Sequence, residues 1–134
     1  ASEQNGYQLF QAKCVSCHAE PLFTDLSYRN DGLPMNPVHN DFGRMRVTGN
    51  SSDSLKFKVP SLRNVALTGY FAHDGRFPAF TQMIEHYSDG IEQGPTLDPS
   101  LKDGIPMMDL EKFYLQEFLF TLTDSTMVTD PRFE

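Results

Sequence analysis

The 134-residue sequence contains no tryptophan, only two cysteines and no apolar run near the roughly 20 residues that a membrane-spanning helix needs. We therefore predict no membrane span. Basic residues are also few, because 11 Lys and Arg stand against 18 Asp and Glu and the net charge is −7. This charge would repel nucleic-acid phosphates, so it argues against nucleic-acid binding and allows a basic protein partner.

Regular secondary structure is scarce along the chain, and no internal repeat is present. Apolar spacing predicts helices over 3–18, 79–90 and 109–123, and the segment 59–69 is predicted as a shorter helix. The many Pro, Gly, Asn, Asp and Ser residues between 21 and 58 indicate long loops instead. The length favours a single domain, 1–134, and the pattern predicts an all-α fold of a few short helices and long loops.

The two later helices have clear apolar faces. In the helix over 79–90 one face carries Phe80, Met83, Ile84 and Tyr87. In the last helix the predicted buried stripe consists of Leu110, Phe113, Tyr114, Phe118 and Leu122. A few short helices bury too little apolar surface to offset the entropy lost when the long loops become ordered. We therefore expect a large apolar ligand to complete the core.

The stretch CVSCH holds the only cysteines, Cys14 and Cys17, with His18 directly after them. A redox disulfide would call for a βαβ setting that the pattern lacks, and zinc needs four ligands that the remaining histidines do not supply. A structural disulfide would close a very small loop with little entropic benefit. The remaining interpretation is a covalent c-type haem, with both thiols as thioethers and His18 as the proximal iron ligand.

Covalent haem attachment of this type takes place outside the bacterial inner membrane or in equivalent compartments, so we expect a periplasmic or otherwise exported protein. The sequence begins ASEQNGYQLF, without a basic segment followed by an apolar one, so any export signal is expected to have been removed.

The residue on the other face of the iron sets the chemistry, because methionine raises the reduction potential, tyrosinate stabilises ferric iron and an open position admits peroxide. Met107 and Met108 precede the last helix, where small cytochromes commonly place this ligand. Tyr87 and Met83 share one helix face, whereas His86 is rotated by about 100° from Tyr87. The full set of candidates is Met35, Met45, Met83, Met107, Met108, Met127, Tyr87, His39, His73 and His86.

Together with the CxxCH, the stretch FGRMRVTGNSSDSLKFKVPSLRNVALTGYFAHDGRFPAFTQMIEHY resembles the C-terminal haem domain of bacterial dihaem cytochrome c peroxidases and MauG-like proteins. The resemblance extends from GYQLFQAKCVSCH to FLFTLTDSTMVTDPRF, and FKVPSLRNVALT and HDGRF are its specific parts. It implies a cytochrome c-like fold. It also implies a haem that relays electrons to or from a second, peroxide-reacting haem in an N-terminal domain.

The resemblance also implies a distal ligand. In this family that ligand follows the threonine of the LRNVALT segment by nineteen residues, which here leads from Thr68 to Tyr87. MauG-like members have tyrosine at this position and peroxidases have methionine. We therefore expect a low-potential centre ligated by His18 and Tyr87, with Met107, Met108, Met83 and His86 as alternatives.

Other residues gain roles only through the resemblance. The family binds calcium between its two domains through backbone carbonyls that correspond to Thr68 and Tyr70, although Tyr70 stands where the family has proline. Arg63, and less so Arg44, resemble arginines near the haem propionates. We expect His73 to tie its loop to backbone carbonyls instead of binding iron.

The sequence departs from the family in having one CxxCH and no tryptophan to bridge two haems. The abrupt start before the first helix favours an excised C-terminal domain over a natural one-haem relative. Two functions remain open: the electron-relay half of a dihaem oxidoreductase, not catalytically complete alone, or a stand-alone monohaem electron carrier.

Overall fold

The computed structural model describes residues 1–133 and is mostly helical. The helices are α1 (Ser2–Lys13), α2 (Met45–Thr48), α3 (Phe80–Asp89), α4 (Asp109–Phe120) and α5 (Ser125–Val128), and single 3-10 turns lie at Ser51–Asp53, Val65–Leu67, Pro99–Leu101 and Pro131–Phe133. Two short strands, β1 (Tyr28–Arg29) and β2 (Phe57–Lys58), pair antiparallel. The predicted fold class of short helices and long loops is confirmed.

The first helix packs directly on the fourth, and Gly6 makes this close approach feasible. A Cβ atom on Gly6 would overlap the carbonyl oxygen of Tyr114 and lie 2.7 Å from the Cβ of Phe118. Glycine is therefore the residue that lets the two helix backbones meet at this crossing. The crossing sets the direction in which α1 delivers the CVSCH turn that follows it.

The hydrophobic core lies between α1, α3 and α4. It consists of Phe10, Val65, Ile84, Leu115, Phe118 and Leu119. Phe10 is fully buried, with its ring centroid 5.5 Å from that of Phe23 and 5.3 Å from that of Phe118. Cys14 packs against this cluster, so the core continues directly into the CxxCH segment.

Three details of the helix predictions are wrong. The predicted helix 3–18 ends at Lys13, so the CVSCH stretch forms a turn after the helix. In α4 the buried residues are Leu115, Phe118 and Leu119, while Leu110 and Phe113 are 57% and 49% exposed. The apolar pattern of α4 covers most of the helix circumference, so only packing against α1 selects the buried face.

The predicted helix over 59–69 is reduced to the 3-10 turn Val65–Leu67. Its backbone groups bond to other segments, because Leu62 N donates to the Phe23 carbonyl and Asn64 N donates to the Leu122 carbonyl. Asn64 also has a φ of 59°, in the left-handed region that interrupts a helix. This segment therefore connects the loop after the CVSCH turn to the end of α4.

Within residues 1–133, the helices are all too short or too polar to cross a lipid bilayer.

Candidate functional site

A cavity of about 400 Å³ opens beside the CVSCH turn. Its walls come from this turn, from the segment 57–73, and from one face each of α3 and α4. Apolar side chains supply much of the lining, among them Leu62, Val65, Phe71, Phe80, Ile84, Leu101, Leu115 and Leu119. Cys14, Cys17, His18 and Tyr87 all line this same cavity, so the structure brings together the principal residues that the sequence selected.

The CVSCH turn holds its three reactive side chains close together. Cys14 N donates to the Phe10 carbonyl at 2.8 Å, while Cys17 N and His18 N both donate to the Cys14 carbonyl, at 3.2 and 2.9 Å. Both cysteines are free. Burial, with a further contribution from the charge of Cys17, raises the pKa of the Cys14 thiol to about 12. The turn therefore presents a protonated thiol at Cys14 to the cavity.

His18 is oriented by two backbone carbonyls. Its Nδ1 lies 3.1 Å from the Phe23 oxygen and 3.2 Å from the Pro60 oxygen. Because a carbonyl can only accept, Nδ1 carries the proton and Nε2 keeps its lone pair. Burial lowers the pKa of His18, which favours the neutral ring. A neutral imidazole whose Nδ1 is bonded in this way is the usual form of a metal-ligating histidine.

Tyr87 and Met83 both line the cavity from α3, as their shared helix face predicts. Burial raises the pKa of the Tyr87 hydroxyl, and the nearby charge of Asp31 raises it further. The phenol is therefore protonated on its own, and only a strong cation in the cavity would favour the phenolate.

The other predicted distal ligands lie elsewhere. His86 is 5% exposed, and its Nε2 lies 2.8 Å from the Asp31 carbonyl, which makes this nitrogen the donor. Met107 packs against the core, whereas Met108 is 71% exposed. None of these three is among the cavity-lining residues within 1–133, whereas two other candidates, Met83 and His73, share the cavity with Tyr87.

Thr68 and Tyr70, whose carbonyls are the predicted calcium donors, both line the cavity. The side chain of Tyr70 is 69% exposed at this edge of the molecule. No group of three or more His, Cys, Asp or Glu side chains suited to a metal ion occurs in residues 1–133. A calcium site here would therefore depend on backbone carbonyls and on donors from a partner domain, and it stays a prediction.

The two arginines selected by resemblance do not reach the cavity. Arg63 donates from Nε and Nη2 to the Pro21 carbonyl at 3.1 and 2.8 Å. Arg44 pairs with Asp53 at 3.2 Å and lies over the ring of Tyr28. Neither is among the lining residues that the described part of the chain contributes.

Three other basic residues line the cavity, namely Lys13, Arg29 and Lys58. No pattern in the sequence singles them out. The pairing of β1 with β2, which sets Tyr28 opposite Lys58, positions Arg29 and Lys58, whereas Lys13 comes from the end of α1. Asp31 is the acidic residue that accompanies them in the lining. The cavity is thus locally basic in a chain of net charge −7, which suits a ligand with carboxylate groups.

Arg29 is fixed by three neighbours. Its Nη2 lies 2.7 Å from Asp25, its Nη1 lies 2.7 Å from Asp98, and its Nε donates to Ser27 at 2.8 Å. Two of the five guanidinium N–H groups remain for another acceptor. Burial opposes the charge on Asp25, but hydrogen bonds from Ser27 and Arg29 outweigh it and lower the pKa of Asp25 to about 2.

The hydrogen bonds between Asp25, Ser27 and Arg29 predict that the stability of the protein falls in acid. Because the pKa of Asp25 is about 2 in the folded protein, against about 3.9 in an unfolded chain, its stabilising contribution is complete above pH 4 and is lost as pH falls through 2. In urea unfolding between pH 6 and 2, Asp25→Asn should lose stability at pH 6 and show a flatter acid dependence than wild type. Asp103→Asn, at an exposed acid outside the network, should reproduce the wild-type curve, and an equally flat curve there would contradict the assignment.

His73 also lines the cavity, and its ring stacks face to face on Phe57 with centroids 3.6 Å apart. The stacking anchors the HDGRF loop to β2. Within that loop Asp74 is held by Arg76 Nη2 at 2.8 Å and by Asn36 at 3.4 Å.

The residues at the cavity fit a c-type haem. Two thiols would attach the group, and an imidazole with a free Nε2 and a phenol in the same cavity would bind its iron. The apolar walls would contact the porphyrin, and the basic residues would pair with its carboxylates.

Comparison with known proteins identifies the family to which the chain belongs. It is 34% identical over 126 residues to the methylamine utilization protein MauG of Methylorubrum extorquens, an alignment that covers 91% of this chain and 35% of the relative. It is 42% identical over 86 residues to the cytochrome c551 peroxidase of Nitrosomonas europaea, covering 62% of this chain and 26% of the relative. The chain belongs to the MauG and cytochrome c peroxidase family. It matches the C-terminal part of these proteins, as the resemblance predicted.

Solved structures give the same answer for the fold. The crystal structure of a MauG-like protein associated with microbial copper homeostasis superposes with a TM-score of 0.79 at 30% identity, over 99% of this chain and 50% of that one. The diheme peroxidase BthA of Burkholderia thailandensis shares the fold at a TM-score of 0.69 and 22% identity, over 92% of this chain and 43% of that one. No family model matches the sequence. These relatives imply a c-type haem, and the chain spans half or less of the length of each.

Proposed function

We propose that residues 1–134 form a single cytochrome c-like domain that binds one covalent haem c and transfers electrons to or from a second, peroxide-reacting haem. The observation that carries this proposal is the common cavity of Cys14, Cys17, His18 and Tyr87. When bound, the haem supplies one-electron chemistry, which no side chain of the cavity provides. The domain would thus be one half of an oxidoreductase and not a complete peroxidase.

Each residue of the cavity has a separate role in this proposal. Cys14 and Cys17 would form the thioether bonds, and His18 would offer Nε2 to the iron because Nδ1 is already bonded. Tyr87 would serve as the distal ligand, and a ferric ion would lower the high pKa that burial gives its hydroxyl.

The haem carboxylates would meet the basic lining. Arg29 takes the role predicted for Arg63, because Arg29 lines the cavity with two N–H groups left, whereas Arg63 lies outside the lining and donates to the Pro21 carbonyl. Lys13 and Lys58 add positive charge to the same cavity. These basic side chains would bind the haem carboxylates from the positions that they already occupy in the fold.

The partner in this proposal is the N-terminal haem domain of the same family, or a separate redox protein. The structural neighbour BthA is a diheme peroxidase, and this chain has a single CxxCH. Calcium bound through the carbonyls of Thr68 and Tyr70 would lie toward that partner. Covalent haem attachment would require the periplasm or another exported location.

The alternative is a stand-alone monohaem electron carrier. Met83 is the observation that favours it, because this residue shares the cavity and the helix face of Tyr87. A thioether ligand would raise the reduction potential and suit rapid single-electron transfer, whereas a phenolate ligand gives a low potential. The two functions therefore differ in which α3 side chain binds the iron.

Comparison of Tyr87→Phe with Met83→Leu separates the two functions. We expect the ferric absorption and electron paramagnetic resonance spectra of Tyr87→Phe to become high-spin, while Met83→Leu keeps the wild-type spectra. Peroxide consumption should be slow in wild type and faster in Tyr87→Phe, since the phenyl ring leaves the distal position open. A sulfur-to-iron charge-transfer band that Met83→Leu abolishes would instead show the electron carrier.

A further inference from the structure

Two segments that are distant in sequence are joined beside His18. Thr24 Oγ1 donates to the Val59 carbonyl at 2.6 Å, and Ser61 Oγ donates to the Leu22 carbonyl at 2.6 Å. Arg63 grips the Pro21 carbonyl from Nε and Nη2. We call Thr24, Ser61 and Arg63 the loop clamp, because each side chain bonds to the backbone of the opposite segment.

The loop clamp brackets both acceptors of His18. The Phe23 carbonyl lies between Leu22, which Ser61 binds, and Thr24. The Pro60 carbonyl lies between Val59, which Thr24 binds, and Ser61. The shared hydrogen bond at Nδ1 therefore depends on the relative position of two segments more than thirty residues apart.

Outside the β1–β2 pair, few backbone hydrogen bonds cross this junction. Pro60 has no N–H group, and the nearest backbone bonds across the junction are Val59 N to the Ser27 carbonyl at 2.9 Å and Leu62 N to the Phe23 carbonyl at 3.3 Å. The Val59 carbonyl also accepts from Lys58 Nζ at 3.0 Å, a flexible contact within its own segment. Thr24 is the buried member of the clamp, with 7% of its surface exposed.

We propose that Thr24, supported by Ser61, is a positioning residue that keeps the Pro60 and Phe23 carbonyls against His18 Nδ1 and thereby keeps the reduction potential low. This inference rests on the proposed role of His18 as iron ligand. A hydrogen bond from Nδ1–H to a carbonyl makes the imidazole a stronger electron donor, which favours ferric iron. Loss of the clamp would let the carbonyls move away and would raise the potential.

The test is redox titration of the haem-loaded protein in wild type, Thr24→Val and Thr24→Ser. Valine keeps the shape of threonine without its hydroxyl, which donates to the Val59 carbonyl and accepts from Leu26 N at 3.0 Å. We therefore expect a higher reduction potential in Thr24→Val and a return toward the wild-type potential in Thr24→Ser. Ser61→Ala, at an exposed position that is less demanding for folding, should shift the potential upward by a smaller amount.

The matched control is Thr121→Val. Thr121 Oγ1 also donates to a carbonyl at 2.6 Å, that of Phe118, but at the end of α4 outside the cavity lining. Both valine variants should lower stability in urea unfolding, whereas only Thr24→Val should shift the potential. An unchanged potential in Thr24→Val and Ser61→Ala would reduce the clamp to a structural role and overturn the inference.

A separate measurement tests the proposed function itself. Resonance Raman spectra of the ferrous Tyr87→Phe, Met83→Leu double variant, whose distal position is open, report whether histidine binds the iron, before any variant of the clamp is compared. Absence of that iron–histidine signal would remove both the proposed function and the role of the loop clamp. Presence of the signal with unshifted potentials would remove the role of the clamp alone.

Discussion

Replacement of both Cys14 and Cys17 by serine is expected to abolish covalent haem binding completely. The sequence contains no other cysteine, so no second attachment point exists. Denaturing gel electrophoresis followed by haem staining should show a stained band for wild type and none for the double variant. The single variants Cys14→Ser and Cys17→Ser, which keep one thioether position each, should retain part of the stain.

The same double variant is expected to lose its cooperative fold. The cavity measures about 400 Å³, and an empty volume of that size would cost on the order of 10 kcal/mol at ~24 cal/mol per Å³. Water would relieve part of that cost where the lining is polar. The remainder is still comparable with the roughly 5–15 kcal/mol that stabilises a whole domain.

Circular dichroism measured during thermal unfolding checks this second effect. Wild type should show a sharp transition, and the cysteine double variant should show a broad transition or none. A colourless double variant with an unchanged sharp transition would show that the protein core is complete without haem, and the cavity would then not be a haem pocket.

Gly6→Ala is expected to destabilise the protein by about 3 kcal/mol or more. The added methyl group would overlap the Tyr114 carbonyl, and a backbone oxygen cannot rotate away as a side chain can. The helices α1 and α4 would have to separate, which would loosen the buried ring of Phe10. Alanine is the better helix former by about 1 kcal/mol, which is too little to offset that loss.

Urea unfolding of the haem-loaded protein measures the effect, with Gly69→Ala as the control. A Cβ atom on Gly69 meets nothing within 4 Å, so that variant should be nearly neutral. Equal midpoints for the two alanine variants would show that α1 and α4 do not meet as closely as the Gly6 contacts indicate. Because α1 leads directly into the CVSCH turn, Gly6→Ala should also alter the haem spectrum.

Much of the chemistry of the site could be predicted from the sequence. Cys14, Cys17 and His18 are neighbours in the chain, so their proximity needs no tertiary structure. The helical period was enough to put Tyr87 and Met83 on one face, and both line the cavity. The fold class followed from the scarcity of periodic segments, and the family from the stretches FKVPSLRNVALT and HDGRF.

The loop residues of the site could not be predicted in this way. Arg29, Lys58 and Thr24 reach the site because β1 pairs with β2 and because the loop segments bond across the chain. Arg63 resembled a propionate ligand, yet it is not among the cavity-lining residues and donates to the Pro21 carbonyl. A loop has no period that assigns its side chains to a face, so these positions depend on contacts between distant residues.

The sequence by itself determined the CVSCH motif that suits haem attachment, the orientation of the α3 face and the family, because each depends on residues within a few positions of one another. Only the tertiary structure decided which face of α4 is buried, which basic residues meet the cavity and which carbonyls bind His18. The physical reason is that these outcomes are set by packing and hydrogen bonds between segments that local sequence patterns do not relate.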